Sequence, residues 1–149
     1  MKFMGFLARL FAVLIVSTSA FASDAIWLVL PHEVRPNQNQ EPSATRAITR
    51  GPAINIKSPS NTTPRNGTPF SLVIEFTPRG GSEIVPQSVK LLLKTNGSSD
   101  ITSRVANYIS PSGIHVPAAL APIGMHTIEV QVADNSGRRT TTVVNLNVQ

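Results

Sequence analysis

The stretch from Pro122 to Val148 constrains the fold more than any other part of the chain. Apolar side chains occupy every second position in two runs, which is the pattern of a β-strand with one buried face. Asp134-Asn135-Ser136-Gly137 separates the runs and is a turn sequence, because glycine accepts a positive φ without steric cost. The sequence therefore predicts a C-terminal β-hairpin. Since a lone hairpin is only marginally stable in water, earlier strands must cover its apolar face.

Alternating apolar runs recur through the chain after Gly51, separated by turn sequences rich in Pro, Gly, Asn and Ser. No long stretch in this part has the periodicity of a helix. The pattern predicts about seven short strands, which is typical of an antiparallel β-sandwich. One inward residue marks each predicted strand: Ile54, Phe70, Val89, Ile101, Ile114, Ile128 and Val144.

Residues 1–22 have the layout of a secretory signal peptide. Lys2 and Arg9 form the positive flank, Leu10 to Val16 is an unbroken apolar run, and the segment ends in Ala20-Phe21-Ala22. We expect cleavage at this point, a periplasmic or secreted location, and no stable transmembrane segment in the mature chain. The alternative is an uncleaved membrane anchor over residues 3–22, but Arg9 would interrupt it.

Residues 23–51 are predicted to form an extended linker and N-terminal segment ahead of a domain at 52–149. Ile26 to Leu30 could form a short strand, but Pro31, Pro36 and Pro42 follow it. Prolines at this density exclude a helix or a central strand. Trp27 is the only tryptophan. It either packs against the domain edge or is exposed as an anchor for a partner or a membrane surface, and the sequence leaves both open.

Charge and cysteine content narrow the classes of function. The chain has a formal charge of +5, which falls to +3 once Lys2 and Arg9 are removed with the leader. The basic residues are scattered along the sequence, so we expect no nucleic-acid binding. The chain contains no cysteine, which excludes disulfides, thiolate metal sites and a cysteine nucleophile. A small exported domain without these links depends on its core for stability.

The late part of the chain resembles a known family. Pro122, Gly124, the alternating apolar residues and the Asp134-x-x-Gly137 turn resemble the last strands of bacterial immunoglobulin-like domains. The resemblance covers residues 52–149 and implies an immunoglobulin-like β-sandwich. Ile128 stands where antibody-type domains have a cysteine, and His126 takes the place of their corner tyrosine. The resemblance implies that the His126 ring bonds a backbone carbonyl near Pro122 and holds the turn.

Candidate catalytic and metal-binding residues are few. Acid–base chemistry near neutral pH could use only three histidines, His32, His115 and His126. No metal-binding spacing joins them, no nucleophile elbow occurs, and the carboxylates are isolated in sequence, so we predict no enzyme and no cofactor. Asp100, or Asp134 with Asn135, could offer oxygen ligands to calcium, but a site usually collects several carboxylates. We instead predict that Asp134 bonds its own backbone in the turn.

The sequence favours an exported, non-enzymatic binding, adaptor or structural module of the cell envelope, with an envelope protein or surface ligand as its partner. Such domains recognise partners through edge strands and loop tips. The candidate surfaces in this chain are the Arg79-Gly80-Gly81 loop and the Arg138-Arg139 pair. The residues do not identify the partner.

Two other functions remain open. The alternative is a small periplasmic metal-handling protein, which would need two of the histidines within a few ångströms of each other, with Met125 as a further ligand. A carbohydrate-binding module is the third, but such modules present several exposed aromatic rings. Besides the phenylalanines, this chain offers only Trp27 and Tyr108.

Overall fold

A computed structural model describes residues 24–34, 50–59, 63–95 and 97–149. The predicted signal peptide and most of the predicted linker lie outside these residues. The described strands are β1 (Ile26–Trp27), β2 (Ala53–Ser58), β3 (Phe70–Thr77), β4 (Ile84–Leu93), β5 (Ser99–Asp100), β6 (Ile109–Ser110), β7 (Gly113–Leu120), β8 (Gly124–Asp134) and β9 (Arg139–Val148). The helical elements are α1 (Thr102–Val105) and two 3-10 helices at Pro31–Glu33 and Ala106–Tyr108.

The strands form two sheets that pack face to face. One sheet has the order β1-β7-β3-β2, with β6 also paired to β7, and the other has the order β5-β4-β8-β9. Every pairing is antiparallel except that of β1 with β7. Apolar side chains of both sheets, such as Ile74 and Val130, are almost completely buried in one core. The predicted all-β sandwich is therefore confirmed.

The predicted C-terminal hairpin is present as β8 and β9. Its register is unbroken from the pair Gly124 and Val148 to the pair Ala133 and Arg139. The inward side chains of β8 and the second half of β9 are buried, as the alternation predicts. The hairpin supplies half of the strands of its sheet.

The segment 24–34 packs into the sandwich, although residues 23–51 are predicted from the sequence to be an extended linker and N-terminal segment ahead of the domain. Leu28 and Val29 are both 0% exposed and lie in the core. The Leu28 N–H donates to the Leu120 carbonyl at 2.9 Å, which extends the parallel pairing of β1 with β7. Burial of two aliphatic side chains stabilises this docking by a few kcal/mol. This burial keeps the segment in the fold even though its strand is only two residues long and a proline follows at Pro31.

An ion pair also holds this segment in place. The Arg104 guanidinium donates to both carboxylate oxygens of Glu33, at 2.8 and 2.7 Å, and to the Leu28 carbonyl at 2.9 Å. Leu30 N–H donates to the same carboxylate at 2.8 Å. The hydrogen bonds from Arg104 lower the pKa of Glu33 to about 2, against the opposing effect of burial. Because the two bonds are parallel, the pair fixes the relative orientation of the Arg104 and Glu33 side chains in addition to pairing their charges.

The strand predicted around Ile101 to Ile109 is wrong, because this stretch is mainly helical. α1 and the 3-10 helix at Ala106–Tyr108 occupy it, and only Ile109 and Ser110 are in a strand. The Asp100 carboxylate accepts the Thr102 N–H at 2.8 Å, an interaction that starts a helical turn. Ile101 and Val105 are both fully buried. Their spacing of four residues suits one face of a helix.

Candidate functional site

Strand β9 is an edge of its sheet. It is ten residues long and, among the described residues, pairs with β8 alone. An edge strand presents unpaired N–H and C=O groups, which can pair with another chain. Any such pairing would use the backbone groups of β9 that point away from β8.

The hydrogen bonds between β8 and β4 identify these groups. The Thr127 carbonyl accepts Lys94 N–H at 2.8 Å, and Ala133 N–H donates to a β4 side chain, so odd-numbered residues of β8 face β4. Since successive residues of a strand bond to opposite sides, the even-numbered residues of β8 face β9. The register places even-numbered residues of β9 opposite them. The odd-numbered residues of β9 therefore direct their backbone groups away from the sheet.

Two contacts bound the part of this edge that none of the described residues covers. At its start, a Cβ built on Gly51 would lie 2.9 Å from the Arg139 carbonyl oxygen, so the Gly51 backbone packs against the edge there. At its end, Gln149 N–H donates to the Pro64 carbonyl at 3.0 Å and the Gln149 carbonyl accepts Asn66 N–H at 2.7 Å. Four outward-facing residues lie between these contacts, and we call them the open edge: Thr141, Val143, Asn145 and Asn147.

The other edges of the sandwich are short or interrupted. β1 and β5 have two residues each. β2 has a register shift between Ile56 and Ser58, carries Lys57, and is followed at once by Pro59. These are the features by which natural sheets prevent edge-to-edge pairing. By contrast, β9 pairs without a register shift, and its residues 140–148 include no proline, glycine or charge.

The two arginine-containing surfaces proposed from sequence lie side by side. Arg138 donates from Nη2 to the Arg79 carbonyl at 3.0 Å and from Nε to the Asp134 carboxylate at 2.9 Å. The same carboxylate oxygen accepts the Ser82 hydroxyl at 2.9 Å. Arg138 is thus a structural link between the β3–β4 loop and the β8–β9 turn. Arg79 and Arg139 are exposed beside it.

The predicted role of Asp134 in the turn is confirmed. Its Oδ1 accepts the backbone N–H groups of Ser136 and Arg138, both at 3.0 Å. Burial raises the pKa of Asp134, but the hydrogen bonds from Arg138 and Ser82 and the charge of Arg138 outweigh it and hold the pKa below its usual range. Both carboxylate oxygens are therefore used by donors of the protein itself.

The histidines lie in different parts of the fold. His126 is 1% exposed, and its Nε2 donates to the Pro122 carbonyl at 2.7 Å, which confirms the predicted bond at this turn. His115 is exposed on β7, opposite Val73, and His32 is exposed in the first 3-10 helix. Among the residues that the structure describes, no three His, Asp or Glu side chains could hold a metal ion. The ligands of the metal-handling alternative are not brought together.

A shallow polar groove of about 400 Å³ lies on the outer face of the first sheet. Its lining includes Glu75, Ser110, Ser112 and His115. Glu75 forms an ion pair with Lys57 at 3.3 Å, and the two serine hydroxyl oxygens are 2.8 Å apart. Within the described ranges, no hydrogen bond joins His115 to a serine or a carboxylate. These residues therefore do not form a nucleophile–base pair as they stand.

Trp27 is expected either to pack against the domain edge or to be exposed as an anchor, and the structure shows features of both. Its neighbour Leu28 is buried and its backbone is paired with Leu120, yet the Trp27 side chain is among the exposed large hydrophobic groups, at 40%. The ring is held at the surface by a well-packed backbone. In the described part of the chain, no helix is long and apolar enough to cross a membrane.

Comparison with known proteins adds no family. No protein-family model matches the chain, and no curated protein matches it. A solved structure, the crystal structure of an engineered protein, is 15% identical over 66% of this chain, with a TM-score of 0.43. The chain spans only 20% of the length of that engineered protein.

Sequence reasoning named edge strands in general but did not locate the open edge. The signal that could have located it is the run Thr140 to Val148, which is long, β-prone and uncharged. Its meaning depends on whether it lies at the edge or in the middle of a sheet. That placement is a property of the whole topology.

Proposed function

We propose that this protein is an exported, non-enzymatic binding module of the cell envelope that takes up an extended segment of a partner protein along the open edge of β9. The observation that carries the proposal is the contrast between this edge and the others. Three edge strands are short or interrupted, whereas β9 is ten residues long, regular and uncharged from Thr140 to Val148. The features that natural sheets use to prevent unwanted pairing are absent from this one edge, which supports strand pairing as its role.

The energetics of such binding follow from the backbone. The four residues of the open edge offer four N–H and four C=O groups to an added strand. Each hydrogen bond gives a net gain of roughly 0.5–1.5 kcal/mol. Association and ordering of a flexible segment oppose this gain. We expect a Kd of about 1–100 µM for a peptide alone, with side-chain contacts setting its selectivity.

Two features support an immunoglobulin-like classification within this proposal. The order β4-β8-β9 in one sheet and β7-β3-β2 in the other corresponds to the strand arrangement of such sandwiches. The bond from His126 to the Pro122 carbonyl also acts as their corner tyrosine does, by tying a side chain to the backbone a few residues upstream. Export is supported by the signal-peptide layout of residues 1–22.

The test compares two substitutions at one position. Asn145→Pro removes an N–H that points away from β8, and proline is tolerated at such edge positions. Asn145→Ala keeps this N–H and serves as the matched control. A random nine-residue peptide library is selected against the wild-type protein, and the enriched peptides are then measured against all three proteins by fluorescence anisotropy. Urea unfolding verifies that both variants remain folded.

We expect enriched peptides with alternating β-branched residues that bind the wild type and Asn145→Ala alike and bind Asn145→Pro at least tenfold more weakly. Amide hydrogen exchange should slow at the four open-edge residues when peptide is added, because their N–H groups become paired. Peptides that bind folded Asn145→Pro as tightly as wild type would contradict the proposal. If no peptide is enriched and the chain instead dimerises through β9, the proposal is also contradicted, and self-association takes its place.

A further inference from the structure

Three segments that meet near the start of the open edge each carry an arginine, and we call these residues the basic end: Arg50, Arg79 and Arg139. Arg139 is the first residue of β9. The backbone of Gly51, next to Arg50, packs against the Arg139 carbonyl, and the Arg79 carbonyl is bonded to the neighbouring Arg138. Three separate segments of the chain thus meet at one end of β9, and each of them carries an arginine. Because these arginines are far apart in the sequence, the sequence alone does not show that their segments meet.

The basic end keeps its charge exposed. The fourth arginine there, Arg138, is paired with Asp134, and the described residues provide no ion pair for the other three. All three arginines are exposed. Glu83, the residue before β4, is an exposed carboxylate near the β8–β9 turn. The opposite end of the open edge differs, because the loop that bonds Gln149 carries a single arginine, Arg65. The charge along the edge is therefore asymmetric.

This asymmetry gives the bound segment a direction. β9 runs from Arg139 towards Val148, and all pairings in its sheet are antiparallel. A strand that continues this pattern runs the opposite way, so its C-terminal side leaves at the basic end. On the basis of the proposed function, we infer that the partner segment is an uncharged extended strand followed on its C-terminal side by acidic residues. Their carboxylates would contact the exposed guanidinium groups bidentately.

The experiment uses two synthetic peptides of identical composition. One has Asp-Asp after the core Thr-Val-Thr-Val-Thr-Val-Thr and Ser-Ser before it, and the other exchanges these flanks. Both are acetylated and amidated, so that terminal charges do not contribute. Binding to the full mature protein is measured by anisotropy at low and at high salt. Exposed pairs are weak individually and screened by salt, so we expect the C-terminally acidic peptide to bind about three- to tenfold more tightly at low salt only.

Two variants assign the preference to the basic end. The double variant Arg79→Ala and Arg139→Ala should bind both peptides equally, while Arg65→Ala, an exposed arginine at the other end, should keep the preference. Equal binding of the two peptides to wild type would overturn the inference and leave strand addition intact. Tighter binding of the N-terminally acidic peptide would overturn the antiparallel direction. If neither peptide binds and the peptide library also gives no binder, the proposed function itself fails.

Discussion

The substitution Leu28→Ala tests whether the N-terminal segment is part of the folded domain. Leu28 is 0% exposed and packs in the core between the sheets. Replacing a buried leucine by alanine removes its transfer free energy and leaves a cavity, at a cost of about 2–5 kcal/mol. We expect about 3 kcal/mol here, because the segment pairs with β7 over only two residues and can partly relax. A domain of this size has roughly 5–15 kcal/mol of stability, so the loss is large.

Urea unfolding of the mature chain, followed by circular dichroism, measures this loss. With an m-value of about 2 kcal/mol/M, 3 kcal/mol lowers the midpoint by about 1.5 M. The matched control is Ile123→Ala, which removes a large aliphatic side chain that is 59% exposed, and its midpoint should change by less than about 0.3 M.

An unchanged midpoint for Leu28→Ala would refute the placement of this segment in the core. A chain that begins at residue 52 gives a second, independent measurement. It lacks both Leu28 and Glu33, so it leaves core residues uncovered and Arg104 without its carboxylate. We expect that shorter chain to be less stable than Leu28→Ala. If it unfolds at the wild-type midpoint, the folded unit starts at residue 52 as the sequence pattern indicated.

The remaining predictions concern single interactions. Since the folded-state pKa of Glu33 is about 2 and its ordinary value is 4.5, the stability from its ion pair is fully present above pH 4.5 and is lost as the pH falls towards 2. Glu33→Gln should therefore be less stable than wild type by about 1–2 kcal/mol at pH 7, after allowance for solvent screening, and the difference should vanish near pH 2 in urea titrations. Gly113→Ala should cost at least about 2 kcal/mol in thermal unfolding, because φ is +147° and the new Cβ would overlap the Ile74 carbonyl oxygen. Gly67→Ala, at φ +72° with open space around it, should cost only about 1 kcal/mol, and equal losses would contradict the overlap. His126→Phe removes the bond to the Pro122 carbonyl and should cost about 1–3 kcal/mol, with faster amide exchange at the bend; unchanged exchange would show that the bond does not hold the turn.

The hairpin was predictable because its strands are regular and its turn is encoded locally. Alternation fixes which side chains face inward, and the Asp134 turn has its donors within four residues. The bond of His126 was also predictable, since it joins residues four apart in the chain. Interactions of this kind need no knowledge of distant parts of the fold. They are the parts of the structure on which sequence pattern and tertiary structure agree.

The N-terminal segment was not predictable in the same way. Its pattern is too short for periodicity, and its stability comes from contacts with residues more than seventy positions away, such as Arg104. The helix at Thr102–Val105 was missed for a different reason. Ile101 and Val105 lie four apart, a helical signal, but the segment is so short that neighbouring strand patterns outweighed it. In both cases tertiary packing decided what local propensity left open.

The open edge shows how one sequence pattern can have two meanings. A run such as Thr140 to Val148 is favourable in the middle of a sheet, where its backbone groups are paired on both sides. At an edge the same run leaves one row of backbone groups unpaired, and a charge or a proline would normally interrupt it. Introducing such an interruption should therefore cost little stability: Asn145→Lys keeps the backbone hydrogen bonds to β8, loses one exposed side-chain bond from the Thr127 hydroxyl at 3.3 Å, and places its charge in water. If Asn145→Lys unfolds at the wild-type midpoint yet no longer binds the selected peptides, then the uncharged sequence of β9 is explained by recognition. If it is destabilised by several kcal/mol, the edge is covered in the folded protein and cannot accept a partner strand.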